Sequence, residues 1–291
     1  MEKYIILEKD NFLNSDGVCN LSLTKSFTNL ENIKIETNLK SRVDSLPKGF
    51  NFKLYYKGHL MKKVKILGEG TFGKVILYQA DNNFLAIKIN HEGVPINDEI
   101  DSFNKLLPKV CKYSIIPLKI VKDQRANPFL IMQMADGDLK DLKLSKILKI
   151  KVLVTVSKAL NCFLKKGIIY MDLKLENILY KCVDSKITIY LGDVGSLAEI
   201  GTLFENGEIV APESKKSGEF VANEAYLLYT FGIFILEIFG YRIENLEKFL
   251  KDEDVDDYLK ALVFYYTTAN PKKRVLYNLD LVNELIKKKF R

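Results

Sequence analysis

The hydrophobic period of this chain changes part-way along it, and that change limits the folds open to it. Between residues 63 and 89, short apolar runs (Val64-Lys65-Ile66-Leu67, Val75-Ile76-Leu77-Tyr78, Phe84-Leu85-Ala86-Ile87-Lys88-Ile89) alternate with a glycine-rich turn and an Asp-Asn-Asn turn. Such runs predict a strand meander. A helix is expected over 98–107 and a further strand over 129–134. Beyond Leu139 the spacing becomes helical, notably over 150–165, 224–239 and 255–268. A strand-rich half followed by a helix-rich half predicts an α+β chain of two lobes sharing a cleft. The expected division is 1–60, an Asn/Ser/Lys-rich lead-in of unassigned role, then 61–134 and 135–291.

Composition removes several function classes. Hydrophobic residues make up 47% and charged residues 28%, which excludes a fibrous, a largely disordered or a multi-span membrane protein. The most apolar stretch, 225–236, is too short to span a bilayer, and the charged start Met1-Glu2-Lys3 carries no signal-peptide pattern. An intracellular location without membrane contact is therefore expected. Net charge is +7, but the lysines are scattered, so a nucleic-acid partner is not expected. Cys19, Cys111, Cys162 and Cys182 form no C-x-x-C pair and are expected as free thiols. The two histidines, His59 and His91, sit in no motif, which disfavours histidine triads and zinc clusters.

Three groups of residues carry chemistry. Gly68-Glu69-Gly70-Thr71-Phe72-Gly73-Lys74-Val75 is a G-x-G-x-x-G-x-V run between two predicted strands. Glycines there let main-chain N–H groups approach phosphate oxygens, although a glycine-rich hairpin can equally be structural. Strand–turn–strand surroundings argue against a dinucleotide fingerprint, and no Gly-Lys-Ser/Thr ends the run. Lys88 follows in the apolar run Leu85-Ala86-Ile87, where an ammonium needs a partner, and Glu99 is the natural one. The sharpest signal is Asp172-Leu173-Lys174-Leu175-Glu176-Asn177, followed by Gly192-Asp193-Val194-Gly195. An acid to orient a hydroxyl, an amide and a second acid to hold metal, and lysines to meet phosphate charge are what phosphoryl transfer needs.

On these ordered motifs, from about Lys63 to about Ile286, the chain resembles a eukaryotic-type protein kinase. The resemblance implies a two-lobed kinase fold, ATP and Mg2+ as cofactors, and a protein substrate. It implies that Gly68, Glu69, Gly70, Thr71, Phe72 and Gly73 cover the ATP phosphates. Lys88 would contact the α/β-phosphates and pair with Glu99. Val75, Ala86, Met132, Gln133, Met134 and Leu179 would surround the adenine, with Asp138 at the ribose. Asp172 corresponds to the catalytic base, and Asn177 and Asp193 to the metal ligands. Lys174 resembles the serine/threonine subgroup. Ala211-Pro212-Glu213 matches the A-P-E segment, and Arg274 is placed like the arginine that pairs with its glutamate.

The departures are as specific. The family's H-R-D reads Tyr170-Met171-Asp172, D-F-G reads Asp193-Val194-Gly195, and Asn206 stands where a hydroxyl residue is usual. The aspartate that would hold the catalytic-loop backbone, five residues before Gly232, is Leu227. A serine/threonine protein kinase is the expected function, with a non-catalytic pseudokinase as the alternative. Lys174 and the A-P-E segment disfavour a small-molecule kinase of the aminoglycoside type. Lys/Asn/Ile-rich composition suits an AT-rich genome, such as that of a large DNA virus. Met171 cannot clamp a phosphate, and Ser196 and Thr202 are the only hydroxyl residues from Asp193 to Glu213, so activity without loop phosphorylation is expected. Lys140, Lys143, Lys146 and Lys149 are expected on one solvated helical face. The acidic run 252–257 would steer a basic substrate, or else cap the next helix.

Overall fold

Alternation of apolar and polar residues pairs the strands of the first part of the chain in antiparallel fashion. The computed structural model describes residues 28–38, 50–70, 73–94, 100, 104–106, 115–116, 118–140, 142–183, 186–205, 211–213, 219–275 and 279. The chain divides into two compact units. Among the described residues, one comprises those from 28 to 106 and from 116 to 136; the other holds residue 115 and those from 137 to 279.

In the first unit, β1 (Ile33–Thr37), β2 (Phe52–Tyr56) and β3 (His59–Leu60) form a three-stranded sheet. A five-stranded sheet of β4 (Lys62–Glu69), β5 (Gly73–Ala80), β6 (Asn83–Asn90), β7 (Leu118–Lys122) and β8 (Pro128–Gln133) runs in the order β4-β5-β6-β8-β7. Its register separates two faces, because cross-strand partners and residues two apart share a side. Ile76, Ile87 and Ile131 form one row, and Tyr78, Leu85 and Gln133 the next. This back face packs with Ile35, Leu54 and Tyr56 of the small sheet into one buried core, which includes Phe129. Phe52 adds ring contacts at 5.4 Å to Tyr78 and 5.3 Å to Phe129. Each fully buried large side chain contributes about 1.5–3 kcal/mol.

The small sheet is also tied by polar bonds. Thr37 Oγ1 donates to Asp123 Oδ2 at 2.7 Å, and the Thr37 main chain exchanges two bonds with the Gln124 amide. Residues 28–38 and 50–60, set apart in the sequence reading, thus share a core with the five strands. Their period-2 pattern, Ile33-x-Ile35-x-Thr37 and Phe52-x-Leu54-x-Tyr56, was present but short. β4 is exposed along its length and carries Lys62, Lys63 and Lys65, a common protection for an edge strand.

The second unit is built on helices α1 (Lys146–Leu164), α2 (Glu224–Ile238), α3 (Leu246–Lys251), α4 (Asp257–Tyr266) and α5 (Pro271–Arg274). Its strands are β9 (Gly137–Asp138), β10 (Ile168–Tyr170), β11 (Ile178–Val183), β12 (Lys186–Leu191), β13 (Leu197–Glu199), β14 (Leu203–Glu205) and β15 (Glu219–Val221). β10 pairs with β13, and β11 lies between β12 and β9. Ser145 caps α1, starting it four residues before the apolar period suggested. The apolar stretch 225–236 is α2, buried on nearly every side, as a core helix must be. Gly232 allows its close approach to α4: a Cβ there would lie 2.8 Å from the Cβ of Tyr266. Among the described residues, no single helix is long and apolar enough to cross a membrane.

Two expectations are corrected here. Cys162 on α1 and Cys182 on β11 are disulfide-bonded, not free; sequence spacing is blind to sulfurs that tertiary packing brings within reach. Lys140, Lys143, Lys146 and Lys149 do not line one helical face, because α1 begins only at Lys146. Lys140 instead pairs with Glu176 at 2.7 Å, and the Lys149 ammonium lies 4.7 Å from the Phe239 ring.

Candidate active site

Asp172, Lys174, Asn177 and Asp193 come together on one hydrogen-bonded frame. The Asn177 amide nitrogen donates to both the main-chain oxygen and Oδ2 of Asp172, each at 2.8 Å. Lys174 Nζ lies 3.0 Å from the same Oδ2, so neither contact uses Oδ1. The Asn177 carbonyl accepts from Gly192 N at 2.7 Å, and the Gly192 carbonyl accepts from Tyr170 Oη at 2.8 Å. Tyr170 leads directly back to Asp172, which closes the circuit. Tyr170 is fully buried; burial, then the charges of Asp193 and Asp172, push its phenol well above its usual range, so it stays a donor.

Asp193 has left-handed backbone angles, φ 37° and ψ 67°, which cost a non-glycine residue on the order of 1–3 kcal/mol. Ser196 helps to hold it there: its hydroxyl donates to Asp193 Oδ2 at 2.7 Å, and its N–H to the Asp193 carbonyl at 3.0 Å. A serine singled out only as a phosphorylation candidate is thus part of the frame. Amide and carboxylate oxygens on Asn177 and Asp193 suit a hard divalent cation. Among the described residues, no three His, Cys, Asp or Glu side chains gather to hold a metal by themselves. A magnesium ion here would complete its shell with phosphate and water, as that ion usually does.

Glu213 and Arg274 form the pair expected of them. Arg274 is fully buried and donates to both Glu213 oxygens, at 2.7 and 2.8 Å. It also donates to the carbonyls of Thr268 and Ala225, and stacks 4.8 Å from the Tyr229 ring. Asn206 lies outside the described residues. Asp138 and Leu179, expected at the ribose and the adenine, are cross-strand neighbours on β9 and β11.

In the other unit, the predicted nucleotide residues on β5, β6 and β8 share the front face of the five-stranded sheet. Val75 pairs with Lys88, and Ala86 with Met132, on the side opposite the buried core. Gln133 is the exception: its amide points to the back face and donates to the Thr28 carbonyl, so only its main chain is available for a nucleotide. Met134 is buried just beyond β8. Thr71, Phe72 and Glu99 lie outside the described residues, and with Glu99 the expected Lys88 pair.

The glycines differ from one another. A Cβ on Gly73 would sit 2.2 Å from the Ile89 carbonyl oxygen, so packing alone requires glycine. At Gly68 and Gly70 a Cβ would meet nothing within 4 Å, and neither has a positive φ. Among the described residues nothing calls for glycine there, which fits a cradle that phosphates approach. His91, missed in the sequence, bonds the Gly70 carbonyl at 2.9 Å and lies 3.8 Å from Glu69. No sequence signal pointed to it.

The acidic run is largely turned to local use. Asp256 caps α4 by accepting from Tyr258 N, Asp257 pairs with Lys260 at 3.2 Å, and Asp252 accepts from the Tyr241 hydroxyl at 2.8 Å.

Residues 61–239 match the family described as protein kinase domain. The chain is 25% identical to the probable serine/threonine-protein kinase gdt4 of Dictyostelium discoideum over 255 residues, 77% of this chain and 16% of that protein. It is 25% identical over 248 residues to serine/threonine-protein kinase D2 of Homo sapiens, covering 78% of this chain and 27% of the relative. Protein kinase C-like 1 of Saccharomyces cerevisiae is 27% identical over 248 residues, with coverages of 77% and 20%. The chain spans about a sixth to about a quarter of the length of these relatives.

Proposed function

This chain belongs to the protein kinase domain family, and on that premise we propose that it transfers the γ-phosphate of ATP, with magnesium, to serine or threonine hydroxyls of proteins. The observation that carries this reading is the closed frame on which Asp172, Lys174, Asn177 and Asp193 meet. Lys174 in its Asp-Leu-Lys-x-x-Asn setting, and the serine/threonine kinases among the relatives, support the choice of hydroxyl.

In this reading the Asp172 carboxylate orients the acceptor hydroxyl and takes its proton, with Oδ2 held by Asn177 and Lys174. Lys174 meets the charge of the transferred group, and Lys88 that of the remaining phosphates. Asn177 and Asp193 would hold magnesium, which when bound neutralises phosphate charge. The main-chain N–H groups near Gly68 and Gly70 would cover the phosphates, where the absence of Cβ atoms leaves room. Positioning and electrostatics supply most of such catalysis.

Transfer of radiolabelled phosphate to a generic protein substrate tests the proposal. Asp172→Asn or Lys88→Met should lower the rate by about a hundredfold or more. Equal trace activity in wild type and Asp172→Asn would select the pseudokinase reading, which the missing histidine and arginine of Tyr170-Met171 motivate.

A further inference from the structure

We propose that Tyr226 is the positioning residue for Asp172: its hydroxyl, donated to the Met171 carbonyl from the buried first turn of α2, holds the peptide that leads into the catalytic aspartate. The proposal rests on the kinase reading above.

The Met171 side chain cannot anchor anything, yet both polar groups of its main chain are engaged. Its N–H donates to the Ser196 carbonyl at 2.8 Å, and its carbonyl accepts from Tyr226 Oη at 3.2 Å. One bond ties the segment to the Asp193 side of the site and the other to the central helix. Asp172 is thus fixed from before by Tyr226 and from after by Asn177.

Tyr226 is built to do this. It is 2% exposed, and its own N–H donates to the Asn223 cap at 2.8 Å, which fixes it at the start of α2. The helix that follows is buried on nearly every side, a rigid base for a strut. Burial, and then the charge of Asp172, raise the phenol above its ordinary range, so the hydroxyl remains a donor at any physiological pH.

Leu227, where the family resemblance leads one to expect an aspartate, is fully buried and its side chain has no polar atom to offer. The anchor has moved by one residue, and its polarity has reversed. A carboxylate at that place would accept from main-chain N–H groups. Here the Met171 N–H is already taken by Ser196, and the neighbouring tyrosine donates to the carbonyl instead. Leucine at 227 therefore does not mark a decayed site.

Tyr226→Phe removes one oxygen and keeps the ring. Hydrogen exchange of the full chain should quicken about five- to tenfold at the amides of Met171 and Asn177, since the partly buried Met171 carbonyl loses a donor, while α4 stays as protected as before. With a protein substrate, kcat should fall by about the same five- to tenfold factor and KM for ATP should not move, because no nucleotide residue is touched. Ile235→Val, a buried truncation on the same helix, controls for general destabilisation and should leave kcat unchanged. Unchanged exchange over 171–177 overturns the proposal, as does quickened exchange with an unchanged kcat. A drop in kcat equal to that of Ile235→Val also overturns it. Should the wild type transfer no phosphate, the kinase reading falls by itself, and the exchange result alone decides whether Tyr226 holds the segment.

Discussion

The two units hold their site residues by different means. In the sheet unit, Val75, Ala86, Lys88 and Met132 are placed by strand register, and their face is defined by the apolar core behind them. In the helical unit, Asp172 and Asp193 sit on irregular chain and Asn177 ends a single 3-10 turn, where no long repeat can place them. Their positions come from individual hydrogen bonds drawn to Tyr170, Ser196 and Gly192. Groups on the sheet are set by a pattern that survives the loss of one contact. Those on the frame depend on each bond.

That contrast is most exposed to test at Arg274. Glu213→Gln removes one charge of a bidentate pair and leaves the guanidinium buried with weaker partners. The expected loss is about 3 kcal/mol, toward the low end for such pairs because Glu213 is partly exposed. Urea unfolding measures it; a loss under about 0.5 kcal/mol, ordinary for a surface change, would mean that the helical unit is not held by single polar contacts.

The glycine run sharpens the comparison from the sheet side. Gly73→Ala forces a Cβ against the Ile89 main chain and should cost about 1–3 kcal/mol in thermal or urea unfolding. Gly70→Ala has open space and should leave stability within about 0.5 kcal/mol. It should nevertheless weaken Mg-ATP binding about tenfold, the scale of one charge-assisted bond. If Gly70→Ala proved as destabilising as Gly73→Ala, the loop would be structural rather than a cradle.

A smaller effect is expected at Asp123, the sheet unit's own polar anchor. Burial pushes its carboxyl up, but bonds from Asn127, Thr37 and the main-chain N–H groups of Asn127 and Arg125 outweigh it, and the net shift is downward. A carboxyl lowered in the folded state stabilises above its unfolded pKa of about 3.9, and that contribution disappears as pH falls through the folded value. Asp123→Asn should cost about 1 kcal/mol at pH 7. The difference from wild type should shrink at pH 3, as read from urea midpoints at both values. An equal difference at the two pH values would show that the charge does not contribute.

Much of this was legible before any coordinates. The strands 62–69, 73–80, 83–90 and 128–133, and the helices 146–164, 224–238 and 257–266, fall close to where hydrophobic period put them. The Glu213–Arg274 pair was anticipated from motif order, although 61 residues separate the partners. Residues 33–37 and 52–56 were not read as strands, because each is only five residues long and the partner that buries its apolar side lies beyond any local window. Cys162 and Cys182 were misread for the same reason, while Cys19 and Cys111 lie outside the described residues. Tyr170 and Tyr226 were seen as a departure and passed over, respectively, since a phenol's usefulness depends on the carbonyl it meets.

By itself the sequence determined the longer elements and their order, and offered the acid, amide and lysines of the candidate site. These depend on neighbours in the chain: a period of two or near four, a cap, a glycine between strands. Tertiary structure alone decided why each residue is held where it is. It made Gly73 obligatory for packing and left Gly68 and Gly70 open, turned Gln133 to the back of the sheet, and gave Ser196 to Asp193 and Tyr226 to Met171. The physical reason is the reach of the forces involved. Backbone propensity acts over a few residues, whereas the buried Tyr226 donor is fixed by an acceptor on Met171, 55 positions away.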